Sequence, residues 1–399
     1  MIRRLVILLA TALLVNGLTA ATLTPIVSPT GAGAMGSSLT TAPDGTNYLL
    51  WLEPVDAETY ALKFSKFDAA QNRWGAALMI AQGKEWMINW ADFPALAVQA
   101  DGRMIAVWFV NNPSQPGSGH HGGAYHAAFS TSTDGGSTWA SPRPLARGSD
   151  AVEFVALQPT ADGRVLAFWL DSRNREKNGD RQSLYANFIN GEGPDMLLDD
   201  SVCDCCQITT ATTPSGVLVA YRGRSEKEVR DIRLVDYRNG QWSQPRPLHV
   251  DNWIIAACPV NGAQLAGRGL QVAATWFTSA ERQPRVFHKM STDGGETFGR
   301  EVRIDLGRPQ GRVDNLFLAD GTTMVTWLES ATDGKDGGIY LRSISPAGAL
   351  SEPQLLANAS ESRAGGFPRS AVRDAKRFLL SYTLEAQPSQ VVTLMVTVD

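Results

Sequence analysis

The chain repeats one short phrase, a turn followed by an apolar strand that ends in an aromatic residue. It reads DGTNYLLWL from Asp44, DGRMIAVWF from Asp101, DGRVLAFWL from Asp162 and DGTTMVTWL from Asp320. Looser copies are SGVLVAYRG from Ser215, GRGLQVAATWF from Gly267 and DAKRFLLSYT from Asp374. In the close copies Asp-Gly supplies the turn, because glycine reaches the positive φ that a tight turn needs. The apolar run that follows suits a buried strand. The aromatic markers Trp51, Trp108, Trp169, Tyr221, Trp276, Trp327 and Tyr382 follow one another at intervals of 51 to 61 residues. Strands and turns recurring at that length predict an all-β fold, a single β-propeller of four-stranded antiparallel blades.

Seven markers predict seven blades. Each marker strand is followed by an alternating apolar–polar stretch, such as TYALKFSKF, AYHAAFSTS or RVFHKMS, that fits a half-buried third strand. The last repeat ends before its fourth strand, so residues 21–28 are expected to supply that strand and close the ring. Closure removes the exposed sheet edge. A length of 399 residues would allow two or three domains. The repeat argues instead for one body over residues 21–399.

Residues 1–20 read as a signal peptide. Arg3 and Arg4 precede an apolar run over 5–15, and Thr19, Ala20 and Ala21 are small. The protein is therefore expected to be exported, to the periplasm or beyond, and no later apolar stretch is long enough to span a bilayer. A formal charge of −4 gives no electrostatic ground for a nucleic-acid partner. The chain is expected to act as a monomer.

In a propeller, the loops joining second to third strands share one rim with the crossovers between blades, and functional residues favour such loops. That rim collects Arg222, Arg224 and Arg230 from YRGRSEKEVRD, together with Arg285, Arg312 and Arg369. Guanidiniums converging on one cavity would grip a carboxylate in two-pronged fashion, whereas a solvated loop would use them for internal ion pairs. Trp86, Trp90 and Trp253 fall in the crossovers. They either cover the rim or offer faces on which a sugar ring can stack.

Two turns are more specific: STDGGSTW over 132–139 and STDGGETF over 291–298. Their pattern S-x-D-x-G-x-T-W/F matches the Asp box, and on it the chain resembles the sialidase superfamily of propellers, whose own members have six blades. The resemblance implies an arginine clamp on an acidic sugar, a phenol nucleophile and a carboxyl acid. Matched onto this chain, Arg222, Arg285 and Arg312 become clamp candidates, Glu228 or Asp231 the acid–base group, and Tyr221 or Tyr382 the phenol. Where the family carries an early arginine in F/Y-R-I-P, this chain reads SPTGAGAMGSS. The leading functional expectation is binding of an acidic glycan or small anionic ligand, or glycoside hydrolysis, without a cofactor.

The alternative rests on Cys203, Cys205 and Cys206 in VCDCCQ and Cys258 in AACPVNG. The loops carrying them flank one blade. An exported chain with an even number of cysteines is expected to form disulfides, here two of undetermined pairing. Read otherwise, the four sulfurs form a thiolate site for copper or zinc, with Asp204, His249, His120 and His121 as further candidates, or a surface for a protein partner.

Overall fold

The computed structural model describes residues 20–111, 125–149, 151–332, 334 and 337–398. Most of the expected signal peptide, and His120 and His121, lie outside the described residues. Within them the chain forms seven antiparallel sheets of four or five strands arranged as seven blades. The strands lining the central channel are Met35–Thr41, Ala95–Val98, Val152–Pro159, Thr209–Thr213, Gln264–Arg268, Pro309–Phe317 and Arg369–Val372.

Every aromatic marker lies in the second strand of its blade and is buried. Each expected third strand forms, from Thr59–Asp68 in the first blade to Gln390–Thr397 in the last. Thr22–Ile26 pairs antiparallel with Gln390–Thr397 and completes the seventh blade from the opposite end of the chain. The chain joins the body at Ala21. Its amide donates to Gln354 Oε1 at 2.6 Å, and its carbonyl accepts from Gln354 Nε2 at 2.7 Å.

The STDGG turns close on their own aspartates. Thr138 N and Oγ1 donate to Asp134 at 2.9 and 2.6 Å, and Gly136 N donates to Ser132 Oγ at 2.9 Å. Asp293 repeats the arrangement with Thr297. These bonds hold the Asp134 carboxyl down to about 2, the Thr138 hydroxyl contributing most.

A second recurring device lies at the other end of the blades. The marker strands run on as WLE, WLD and WLE, and in a strand residues two apart share a face. Trp51 Nε1 donates to Glu53 at 3.0 Å, Trp169 Nε1 to Asp171 at 2.9 Å and Trp327 Nε1 to Glu329 at 2.6 Å. The same carboxylates accept rim-loop amides, from Gly31, Arg173 and Arg308. Each buried indole thus finds its partner in a group that also anchors a loop.

Candidate functional site

The channel opens on the crossover rim into a cavity of about 250 Å³, whose lining includes Asp92, Phe93, Gln207, Asp314 and Arg369. Three channel-lining strands shift register at this end, between Met35 and Ser38, Glu153 and Ala156, and Gly311 and Asp314. Bulges re-aim side chains and recur beside sites. Two non-glycine residues here have left-handed backbones, Phe154 at φ 53° and Arg312 at φ 48°. Such strain persists only where the surroundings enforce it.

At Phe154 the result is visible. Its N–H points inward and donates to Asp92 Oδ2 at 3.0 Å, and the Tyr125 hydroxyl donates to the same oxygen at 2.8 Å. Burial pushes the Asp92 carboxyl well above the usual range, with Glu153 adding to the rise, and the two hydrogen bonds only partly offset it. Asp314 accepts from Ser370 N at 2.6 Å and Asn315 N at 3.0 Å, and burial raises it as well.

The arginines meet different fates. Arg222 is 1% exposed and lies between blades rather than in the channel. Its guanidinium donates to the carbonyls of Asn261, Arg230 and Phe277 over 2.6–3.0 Å. Arg312 likewise donates to the carbonyls of Gly366, Glu361 and Ser362, each at 2.9 Å, and burial lowers it to about 10. Arg224 pairs with Asp204 at 2.9 Å and Glu228 at 2.8 Å, and Arg230 pairs with Glu228 at 2.7 Å. Arg285 donates to Gln283. The proposed clamp of Arg222, Arg285 and Arg312 therefore does not converge, because two of the three satisfy backbone oxygens of neighbouring loops.

Arg369 differs. It lies in the mouth against the faces of Phe93 and Phe367, 4.7 and 5.5 Å from their centroids, and its Nη1 has no hydrogen-bond partner. Burial lowers its pKa, with the Asp314 charge opposing the shift.

The proposed acid–base groups and phenol also occupy structural positions. Tyr221 is fully buried and donates to Asp199 at 2.7 Å, and burial followed by that carboxylate's charge raises its pKa. Glu228 is held low, first by its bond to Arg224. Asp231 accepts the amides of Asn252 and Trp253, both at 2.9 Å, and so anchors a crossover. Tyr382 lies in a core cluster of the last two blades. Of the three loop tryptophans, Trp86 packs on Trp108 and Trp253 packs edge-on against Phe277. Trp90 stacks on Phe367 with an interplanar angle of 20° and keeps part of its surface exposed. No periodicity in the sequence singles out Asp92 or Gln207. Asp314 could have been found as a charged residue midway along a channel-lining strand.

The cysteine loops do meet. Cys203 N donates to the carbonyl of Arg222 at 2.9 Å, and the turn at Asp204–Cys205 folds the next two sulfurs back towards Cys203. Cys203 Sγ lies 3.9 Å from Cys205 Sγ and 3.6 Å from Cys206 Sγ, and all three lie within 4.8 Å of one another. Cys258 packs against the same cluster. The expected disulfides are not formed: these separations are nonbonded, against about 2.05 Å for a bonded pair. Burial would raise the Cys203 thiol, but hydrogen bonds from Cys205 and Cys206 and the charges of Arg230 and Arg222 hold it well below the usual range. Arg230 Nη1 donates to Cys203 Sγ at 3.2 Å. His249 is elsewhere, against Trp276 and Phe287.

No family model and no curated protein matches the chain. Solved structures do. A protein of unknown function from Dyadobacter fermentans is 15% identical with TM-score 0.56, over 96% of this chain and all of that one. A polysaccharide lyase of family PL25, an ulvan lyase, is 12% identical with TM-score 0.55, over 96% and 94%. An α-L-arabinanase of Penicillium chrysogenum is 11% identical with TM-score 0.50, over 95% and 99%. At such identities the likeness establishes the fold and nothing further about chemistry. The architecture is that of a seven-bladed β-propeller.

Proposed function

We propose that the protein binds an acidic saccharide in the mouth of the channel, with Arg369 holding its anionic group. One observation carries this reading: among the described residues, Arg369 alone of the six candidate arginines has no side-chain hydrogen bond to a protein acceptor, its buried Nη1 unpartnered, and it lies in the lining of the cavity. A guanidinium has five donors in a planar fork suited to a carboxylate or sulfate. Leaving them unsatisfied in a partly buried site is costly, so an incoming anion replaces water at a group already oriented by Phe93 and Phe367. Trp90 and Phe367 extend the apolar wall beside it.

Asp92 adds a chemical possibility. Burial shifts its carboxyl towards the protonated form, the form that delivers a proton to a leaving oxygen, with a second carboxyl facing the bond as partner. Asp92 and Asp314 line the same cavity and are the two groups fitted to those roles.

Calorimetric titration of the purified chain with uronate-containing and neutral oligosaccharides of equal length tests the proposal. Acidic ligands should bind, and Arg369→Gln should weaken them by about 10-fold or more without changing the melting temperature. Equal affinity for neutral and acidic sugars, or an unchanged Arg369→Gln variant, refutes it. If any glycoside is turned over, Asp92→Asn should abolish turnover and leave binding intact.

A further inference from the structure

All four cysteines of the 399-residue chain come from two separate crossovers and pack into one cluster, behind the wall of the mouth. Cysteine as a small core filler has no reason to assemble in this way, because alanine or valine would fill the same space. The geometry between the sulfurs is also specific. A cation with metal–sulfur bonds of about 2.3 Å holds its sulfurs about 3.8 Å apart in a tetrahedron and about 4.0 Å apart in a trigonal plane. Cys203 Sγ lies 3.6 and 3.9 Å from its two neighbours. The C-x-C-C turn brings this about by turning the buried Asp204 to Arg224, while the cysteines on either side face one another.

The surroundings suit a thiolate cluster. Arg230 donates to Cys203 Sγ from a position 3% exposed. Around the cluster, Arg222, Arg224 and Arg230 outnumber the carboxylates of Asp204 and Glu228 with which two of them pair. Three thiolates around a monovalent cation, or four around a divalent one, carry two net negative charges, which buried guanidiniums offset. Access exists as well. Cys203, Cys205 and Cys206 are at most 2% exposed, but Cys258 is only partly buried and follows the exposed residues Ile254, Ala256 and Ala257.

We propose that Cys203, Cys205 and Cys206 bind one soft, closed-shell cation, copper(I) or zinc, with Cys258 beside them as the ligand whose participation separates the two. Thiolates select these ions over hard ones. Copper(I) is satisfied by the three clustered sulfurs. Zinc requires the fourth.

The test uses the full chain, reduced and kept anaerobic, titrated with copper(I) and with zinc against chromophoric chelators, while metal and thiols are counted. One equivalent of one ion should bind and protect the clustered thiols from alkylation. Cys206→Ser should lower the affinity by about 100-fold or more, since one ligand of three or four is lost. Cys258→Ser should leave copper binding unchanged if three sulfurs suffice, or abolish zinc binding if four are needed. Thiols that alkylate at the same rate with and without saturating copper or zinc overturn the proposal, and this measurement on the unaltered chain does not depend on how the variants fold. A disulfide within the cluster of the chain as isolated from its own compartment, with no bound metal, overturns it equally.

Discussion

His288 should give this propeller a measurable weakness to acid. The residue lies in Arg285–Ser291, is 1% exposed, and has one hydrogen-bond contact, Nδ1 to Thr275 Oγ1 at 3.0 Å. Asn315 Nδ2 donates to that hydroxyl at 2.9 Å, so the hydroxyl proton is available to a neutral imidazole. Nε2 has no partner. Burial lowers the imidazole from its ordinary 6.5 to about 3. Between those values the unfolded chain binds more protons than the folded one, so stability falls as pH drops through 6.5 towards 3 and is unaffected well above 6.5. With each pKa unit worth about 1.4 kcal/mol, the step from pH 7 to pH 5 should cost about 2 kcal/mol from this residue alone. Buried carboxyls such as Asp92 and Asp314 are shifted upward and act in the opposite sense, so the measurement must be a difference. Urea melts of the wild type and His288→Gln at both pH values supply it. Any fixed loss from the substitution cancels, and the wild type should lose about 2 kcal/mol more than the variant. Equal losses would show that the imidazole is protonated in the folded state, and the reasoning from burial would fail.

Two further expectations concern stability. Arg222→Met leaves three buried carbonyls without a donor and should destabilise the chain by about 3–5 kcal/mol in urea melts, whereas Arg285→Met on the rim should stay within about 0.5 kcal/mol. An Arg222→Met variant as stable as wild type would mean those carbonyls have other partners. A chain beginning at Ser28 lacks Thr22–Ile26, leaving Gln390–Thr397 as an open sheet edge. It should melt lower and self-associate in sedimentation, and a monodisperse truncation of unchanged melting temperature would refute the account of ring closure.

The blade plan could be read from the chain because it is local. Turn, strand and aromatic recur within nine residues, and burial of Trp51, Trp169, Trp276 and Trp327 follows from that pattern alone. The indole-to-carboxylate bonds were equally local, since WLE, WLD and WLE stand in the sequence two residues apart on one strand face. The mouth was not legible in this way. Asp92 is buried because a crossover lays it under Tyr125 and the reversed backbone of Phe154, and neither contact has a sequence period. Trp86 and Trp253, being in loops, left open whether they cover the rim or offer stacking faces, and those loops fold inward onto Trp108 and Phe277.

The arginines show why charge on a rim is poor evidence of a ligand in this fold. A crossover between blades leaves the ladder of its sheet, and its carbonyls have no strand partner. A long cation anchored on a neighbouring strand can reach several of them at once, as Arg312 does with Gly366, Glu361 and Ser362, while Arg222 reaches Asn261 in a crossover together with Arg230 in a loop and Phe277 near a strand end. Enrichment of arginine on the loop-bearing rim is therefore what backbone satisfaction alone requires. The informative arginine is one placed where no loop carbonyl can receive it. Arg369 is such a residue: it belongs to a channel-lining strand, it is flanked by aromatic faces rather than by peptide oxygens, and its neighbour in the mouth is a carboxyl that burial discourages from ionising. An anion arriving from solvent meets a guanidinium that has the Asp314 charge beside it but an Nη1 that no protein acceptor receives.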